Sequence, residues 1–425
     1  MQPTRRDFLY SAAATAAVGI TAFSGSEGLL AAAQEKAKPL NLKITDLKTY
    51  VISRSGNGNS SNYVFVRIFT NQGIVGTGEG SVTSKAKTMA AAIEEHKRLL
   101  VGRDPTDIEM HWQAMFRWAR WRGGPILNSA VSAVEIALWD ILGQALGQPI
   151  YILLGGKARE RVQMYVHAGG RTPEEYARNW KQVQDEGWTA CKGGFVTTQG
   201  TQIERVRSVR DGIANLKAVR EAVGPDFRIC IDVHGKATPT MAVDFCRRAE
   251  EYAPYFVEEA TQIEDIDELA HLRSKTTIPL ATGERLFTKW GFTEICQRHL
   301  VDFVQPDVVH CGGISEMKKI GIIAEAHRVE LAPHNPQSNV STMASLHVDF
   351  STPSFAIQEI SHRGKDPFWT DLFQGGEPTY ESGFALPPDR PGLGVGFDEE
   401  MARKRPYTPH IRQQLRFPDG GIADH

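Results

Sequence analysis

The pattern of hydrophobic and polar positions changes twice along the chain. Near its beginning, "KITDLKTYVIS" and "NYVFVRIFTNQGIVGTGEG" have the composition of β-strands, and the second stretch folds back at an Asn-Gln-Gly turn. Farther along, "NSAVSAVEIALWDILGQALG" repeats its apolar residues at helical spacing, with Asn128 or Ser129 able to cap its start and Gly147 able to end it. The chain up to about residue 160 is therefore predicted to form an α+β unit.

After this unit the pattern becomes a repeat of short apolar runs that alternate with helix-like segments. The apolar runs are "VQMYVHAGG", "TACKGG", "RICIDVHG", "YFVEEA", "IPLATGE", "VDFVQPD", "VELAPHN" and "FAIQE". Eight strands that alternate with helices indicate a parallel (β/α) barrel rather than an open sheet. The remainder, residues 361–425, is rich in Gly, Pro and aromatic residues, and we expect it to be irregular structure packed on the first unit.

Polar residues follow the predicted barrel strands at a regular spacing. Glu258 comes 26 residues after Asp232, and Glu284 comes 26 residues after Glu258. Asp307, His334 and Glu359 continue the series at similar intervals. Because one strand and its helix take about this length, each group should lie at the C-terminal end of its strand, where the active sites of such barrels are built.

Three carboxylates on neighbouring strands would repel one another strongly without a cation. An all-oxygen set of ligands suits a hard divalent ion, and Mg²⁺ is the one that we predict. The alternative is that each acid caps a helix or pairs with a lysine. The regular spacing of all three acids, followed by a histidine, favours the metal.

Composition narrows the class of protein. Of 425 residues, 41% are hydrophobic and 23% are charged, as in a soluble globular protein. The formal charge of −2 gives no reason to expect a nucleic acid or an anionic membrane as partner. The five cysteines are scattered and odd in number, which argues against both a zinc site and a disulfide scaffold.

The first segment differs from the rest. Thr4 to Leu9 resemble the core of a twin-arginine export signal, and a run of small apolar residues follows. This run is too short and too rich in Ala, Gly and Thr for a membrane span, and "AAAQ" offers a cleavage site after Ala33. We therefore expect residues 1–33 to be removed and the mature protein, without a membrane anchor, to be periplasmic.

A loop of Gly, Ser and Asn, "RSGNGNSSN", separates the first two strands and has the composition of a mobile lid. It ends at Asn62, the residue in this region that we expect to touch a substrate.

Together the motifs resemble the mandelate racemase-like group of the enolase superfamily, most of all galactonate dehydratase and related acid-sugar dehydratases. The stretches that carry the resemblance are "RGGPILNSAVSAVEIALWDILGQALGQP", "IDVHGK", "FVEEA", "ATGERL", "QPDVVHCGG", "APHNP" and "IQE". The resemblance implies a modified (β/α)7β barrel (residues 161–360) under a capping domain (residues 40–160) that the C-terminal segment (361–425) completes. It also implies a homo-oligomer.

By position, the resemblance assigns a role to each strand-end residue. The magnesium ligands would be Asp232, Glu258 and Glu284; His334 and Asp307 would form the base pair; His234 would be the second catalytic histidine; and Glu359 would stabilise the intermediate. His334 would remove the α-proton of a sugar acid, an aldonate, with Asp307 orienting its ring. His234 would then either protonate the departing β-hydroxyl, giving a 2-keto-3-deoxy acid, or only bind a substrate hydroxyl.

The chain departs from the racemases of this group at "CKGG". Lys192 matches the first residue of their Lys-x-Lys motif, but Gly194 stands in place of the second lysine. The missing acid/base favours elimination over racemisation, and Lys192 would either polarise the substrate carboxylate or pair with a metal ligand. Two alternatives stay open: an epimerase or racemase that uses His334 with His234 or Lys192, and a non-catalytic periplasmic protein that binds sugar acids.

Overall fold

The computed structural model describes residues 40–54, 61–118, 120–361 and 366–424. The predicted leader, residues 1–33, lies outside this part of the chain. So does most of the predicted lid, of which only Arg54, Ser61 and Asn62 are described.

The capping domain begins with an antiparallel meander of three strands that packs on a group of helices. The strands are β1 (Ile44–Arg54), β2 (Ser61–Thr70) and β3 (Val75–Glu79), and the helices are α1 (Ala86–Glu95), α2 (Lys97–Leu100), α3 (Ile108–Arg117), α4 (Gly124–Leu146) and α5 (Ile150–Leu153). Strand β3 lies directly against α4, because Gly76 and Gly78 face the carbonyl oxygens of Ala137 and Ala133. A Cβ atom at Gly78 would lie 1.9 Å from the Ala133 oxygen, so only glycine allows this contact.

Helix α4 forms much of the capping core. Pro125 lies in its first turn, and it ends at Gly147, whose φ of 64° is the left-handed conformation that glycine adopts readily. Within the described chain it is the one helix long and apolar enough to cross a membrane, but 78% of its most apolar stretch is buried inside the protein. Its apolar surface is therefore accounted for by the core.

Eight parallel strands form the barrel, in agreement with the prediction. They are β4 (Val162–His167), β5 (Ala190–Gly194), β6 (Arg228–Asp232), β7 (Phe256–Glu258), β8 (Leu280–Thr282), β9 (Phe303–Val304), β10 (Glu330–Leu331) and β11 (Gln358–Glu359). Each pairs with the next from β4 to β10, and β11 pairs with β4. Leu331 of β10 bonds to the chain just before β11, which completes the ring.

Seven helices cover the outside of the barrel. They are α6 (Pro173–Asp185), α7 (Arg205–Val223), α8 (Pro239–Ala249), α9 (Ile266–Arg273), α10 (Thr288–Gln297), α11 (Ile314–Ala326) and α12 (Asn339–Ser351). Inside, each strand or its immediate flank contributes one residue to a buried layer: Tyr165, Ala190, Cys230, Phe256, Ala281, Phe303, Ala332 and Ile357. Large and small side chains thus fill the barrel and give a packed floor beneath the strand ends. The predicted (β/α)7β fold class is confirmed.

The chain after β11 returns to the capping domain. Its elements are α13 (Pro367–Thr370), β12 (Phe373–Gln374), β13 (Tyr380–Glu381), β14 (Phe384–Ala385), β15 (Gly396–Phe397) and α14 (Glu399–Arg403). Trp369 meets Tyr63 of β2 edge-on, with ring centroids 4.7 Å apart, and Phe373 meets Phe65 of the same strand at 5.5 Å. These aromatic contacts attach the segment to the cap, while β14 pairs antiparallel with β4 of the barrel.

Candidate active site

All eight barrel strands contribute a polar side chain at or just beyond their C-terminal ends. In strand order these are His167, Lys192, Asp232, Glu258, Glu284, Asp307, His334 and Glu359. Seven of them were predicted from the spacing and the family resemblance. His167 was not.

The chain at the end of β6 explains why Asp232 and His234 lie side by side. His234 has a φ of 55°, a left-handed conformation that is uncommon outside glycine, and the next residue is Gly235. The His234 amide donates to Asp232 Oδ1 at 2.9 Å, and its ring Nε2 lies 3.2 Å from Asp232 Oδ2. The imidazole is thus turned back toward the strand end, with 41% of the side chain exposed to the cavity described below.

Lys192 lies at the centre of the carboxylates. Its Nζ donates to both Glu258 oxygens at 3.0 Å and lies 2.9 Å from Glu359 Oε1 and 3.3 Å from Asp232 Oδ2. The side chain is only 2% exposed, so the ammonium is buried and paired. Of the two roles predicted for Lys192, this geometry matches pairing with the predicted metal ligands.

At this cluster, burial and the neighbouring charges shift the pKa of a side chain in opposite directions. Burial by itself would lower the pKa of Lys192, but the charges of Glu258 and Glu359 outweigh it and raise that pKa well above its usual range. Burial raises the pKa of Glu258 well above normal, whereas Lys192 and His334 bring the pKa of Glu359 well below normal in spite of its burial. Three carboxyl groups, those of Asp232, Glu258 and Glu359, thus share the single ammonium of Lys192.

His334 and Asp307 form the predicted pair. His334 Nδ1 lies 2.7 Å from Asp307 Oδ2, while Nε2 is 3.1 Å from Glu284 Oε2. Asp307 is fully buried, and its other oxygen accepts from the Val309 amide at 2.9 Å. Burial would lower the pKa of His334, but Glu284, Glu359 and Asp307 raise it well above its usual range. The fixed Nδ1 contact leaves Nε2 as the ring atom available for proton transfer.

One cavity of about 400 Å³ gathers most of the predicted site. Among the residues that line it are Lys192, Asp232, His234, Glu284, His334 and Glu359. Glu258 and Asp307 lie behind the wall, in contact with Lys192 and His334 respectively. The volume is at the small end of the range for pockets that bind small molecules.

The residues present fit the predicted divalent cation. Donor atoms of Glu258, Glu284 and His334 lie within 4.8 Å of one another. Asp232, the remaining predicted ligand, is not in that group but shares the Lys192 ammonium with Glu258. Carboxylate oxygens in excess over nearby positive charge are the donor set that Mg²⁺ prefers.

Three basic side chains at the cavity, His167, Arg285 and Arg412, were missed from the sequence. His167, at the end of β4, has Nε2 2.6 Å from Glu359 Oε1, and its strand-end position could have identified it. Arg285 follows Glu284, donates to Glu259 at 2.8 Å and to Gln262 at 2.7 Å, and also lines the cavity. Arg412, from the C-terminal segment, lines the cavity as well, and no local sequence pattern places it there.

Asn62 is not brought to the cavity. It lies on β2, is 8% exposed, and its Oδ1 accepts from Ser53 Oγ on β1 at 2.7 Å. The direct substrate contact predicted for it has no support from this placement, because its side chain is bonded within the capping sheet.

Comparison with known proteins identifies the family that the sequence motifs resemble. The chain matches the N-terminal domain model of mandelate racemase and muconate lactonizing enzyme over residues 40–155, and the enolase C-terminal domain-like model over residues 175–401. A D-galactonate dehydratase of Ralstonia pickettii is 35% identical over 389 residues, covering 90% of this chain and all of that protein. A D-galactonate dehydratase family member of Streptomyces bingchenggensis is 36% identical over 390 residues, covering 85% of this chain and 94% of that protein.

Solved structures of similar proteins superpose over most of the chain. An enolase of Pantoea ananatis with bound D-gluconate and Mg superposes with a TM-score of 0.84 at 28% identity, covering 91% of this chain and all of that one. A 3,6-anhydro-D-galactonate cycloisomerase of Zobellia galactanivorans superposes with a TM-score of 0.78, also at 28% identity, covering 85% of this chain and 99% of that one.

Proposed function

The chain belongs to the mandelate racemase and muconate lactonizing enzyme group of the enolase superfamily, and we propose that it is a Mg²⁺-dependent dehydratase of sugar acids, a carbon–oxygen lyase. One observation carries the proposal: the Asp307–His334 pair and the carboxylates of β6–β8 meet at one cavity that also holds His234. Relatives named D-galactonate dehydratase and a structural neighbour with D-gluconate and Mg support the substrate class.

Asp232, Glu258 and Glu284 would hold the metal, with Lys192 bridging the first two. When bound there, Mg²⁺ supplies the positive charge that stabilises the enolate form of a carboxylate substrate and offsets the carboxylate charges that raise the pKa of His334. A His or Lys base acting with Mg²⁺ is general to the enolase superfamily.

His334 acts as the base. Because Asp307 Oδ2 fixes Nδ1, the opposite ring nitrogen accepts the α-proton of the substrate. Asp307 stays ionised and stabilises the imidazolium that forms, as a buried carboxylate does in a catalytic triad. The pKa of Asp307 is below its ordinary value in spite of burial, because His310 and His334 lie next to it.

His234 acts as the acid that protonates the β-hydroxyl as it leaves. It shares the end of β6 with Asp232, and in the described part of the chain no hydrogen bond or ion pair joins it to Asp307 or His334. The two histidines can therefore hold different protonation states. Glu359, held by the Asn335 amide at 2.8 Å and flanked by Lys192 and His167, would stabilise the intermediate, as the family resemblance implies.

A panel of sugar acids tests this proposal. The Mg²⁺-loaded enzyme should release a 2-keto-3-deoxy acid, detected as its semicarbazone, from at least one acid of the panel. Treatment with a chelator should abolish the reaction and added Mg²⁺ should restore it. Activity in a metal-free preparation would contradict the metal assignment, and products that are only epimers would make the protein an epimerase. Binding of sugar acids without any turnover would favour the non-catalytic alternative.

A further inference from the structure

The chain after α14 is attached first to the capping domain. The Ser53 amide of β1 donates to the Arg405 carbonyl at 3.2 Å, and the Thr408 amide donates to Ser53 Oγ at 2.6 Å. That hydroxyl in turn donates to Asn62 Oδ1. Asn62 therefore contributes to the attachment of the C-terminal segment, although it does not reach the cavity.

A few residues later the same chain is attached to the barrel. The Arg416 amide donates to the Thr201 carbonyl, and the Ile203 amide donates to the Arg416 carbonyl, both at 2.9 Å. Leu415 is buried, and the Arg205 guanidinium lies over the Phe417 ring at 5.1 Å. Residues 409–414 thus run from the capping sheet to the loop that follows β5, and we call them the bridging segment.

The bridging segment places Arg412 at the cavity. Arg412 lines it together with His234, Glu284 and Arg285. Arg285 is paired with Glu259, whereas the guanidinium of Arg412 is in no ion pair with a carboxylate of the described residues. A cation that faces a cavity without a carboxylate partner is available to bind an anion there.

A second cation lies close to Arg412. Lys236 follows the end of β6, is half-buried, and its ammonium too has no carboxylate partner within the described chain. Burial lowers the pKa of Lys236, and the charge of Arg412 lowers it further against the pull of Asp232. The charges of Lys236 and Arg412 repel each other, and an anion bound to Arg412 at the cavity would relieve that repulsion.

We propose that Arg412 binds a second carboxylate at the distal end of the substrate, and that the preferred substrates are therefore aldarates, the dicarboxylic sugar acids, rather than aldonates. This rests on the proposed function, in which the first carboxylate lies at the metal site. A guanidinium pairs with a carboxylate through two parallel N–H···O bonds, whereas the terminal hydroxyl of an aldonate offers no charge.

The test compares acids that share a carbon skeleton: galactarate with galactonate, and glucarate with gluconate. For the Mg²⁺-loaded enzyme we expect kcat/KM to be at least about tenfold higher for the aldarate of a pair. Arg412→Gln should lower the value for the aldarate by about 10- to 100-fold and change that for the aldonate by less than about threefold. Lys404→Gln, which removes an exposed cation that precedes the bridging segment and does not line the cavity, is the matched control and should change neither.

Binding to the His334→Asn variant, measured by calorimetry with Mg²⁺ present, separates this proposal from the dehydratase assignment. If neither acid of a pair is turned over, the dehydratase assignment falls. This inference still stands if the aldarate binds more tightly than the aldonate and loses that advantage in the Arg412→Gln/His334→Asn double variant. Equal binding of the two acids, tighter binding of the aldonate, or a preference that survives Arg412→Gln would overturn it.

Discussion

Lys192 is the residue through which the charges of the site are coupled. Its ammonium touches Asp232, Glu258 and Glu359, three side chains to which we assign two different functions. A buried charge of this kind contributes little net stability by being paired, but its removal leaves its partners uncompensated.

We therefore expect Lys192→Met to lower the free energy of unfolding of the metal-free protein by about 3 kcal/mol, because Glu258 and Glu359 would remain buried without their counter-charge. Saturating Mg²⁺ should recover much of that loss, since a divalent cation would neutralise the same carboxylates. Urea unfolding followed with and without Mg²⁺ measures both quantities. Equal destabilisation under the two conditions would show that Lys192 and the metal do not share ligands.

For single residues, prediction from the sequence succeeded where the position within the repeat of strands and helices determines the position at the end of a barrel strand. Asp232, Glu258 and Glu284 could be identified because each follows its strand at the same interval. His167 obeys the same rule but escaped notice, because its significance depends on Glu359 on the strand paired with its own. Arg412 obeys no local rule, since only the docking of the bridging segment brings it to the cavity.

The strands and helices were predictable in kind and order. All eight apolar runs became barrel strands, because each lies between helices and is buried on both faces. The path of residues 404–424 was not predictable, because it depends on bonds to Ser53 and Thr201 that are remote in sequence.

A buried carboxyl group of the cap, that of Glu79, is bonded to an element of the barrel. Glu79, at the end of β3, accepts from Ser338 Oγ at 2.5 Å and from the Ser341 amide at 3.3 Å, at the start of α12. Burial raises the pKa of Glu79 to about 7, although the bonds from Ser338 and Ser81 lower it in part. The folded protein therefore holds a proton on Glu79 at pH values where the unfolded chain has lost it.

This gives a pH dependence of stability with a defined sign. The stabilisation of the folded protein by the protonated Glu79 carboxyl is fully present below the unfolded pKa of 4.5. It is lost as the pH rises through the folded pKa of about 7. Between pH 5 and pH 8 we expect the free energy of unfolding of the wild type to fall by about 2 kcal/mol more than that of Glu79→Gln, which cannot titrate. Parallel urea titrations at the two pH values make the comparison, and identical losses in both proteins would exclude a titrating Glu79.

The cellular location of the whole molecule depends on residues 1–33, which lie outside the described structure. The twin-arginine assignment predicts that the folded protein is exported and cut after Ala33. Replacement of Arg5 and Arg6 by lysine should keep the full-length chain in the cytoplasm, as fractionation and N-terminal sequencing of the product would show. A wild-type protein that stays in the cytoplasm with residues 1–33 intact would contradict the assignment.

In the mechanism that we propose, His334 removes the α-proton and His234 assists departure of the hydroxyl. Asp307 contacts the first histidine and Asp232 contacts the second. The most direct test follows exchange of the substrate α-proton with solvent deuterium, alongside dehydration, in His334→Asn and His234→Asn. We predict that His334→Asn loses both reactions by about 10²- to 10⁴-fold, whereas His234→Asn loses dehydration but retains exchange, because proton removal precedes elimination. Substantial dehydration by His334→Asn, or by His234→Asn, would contradict this division of labour.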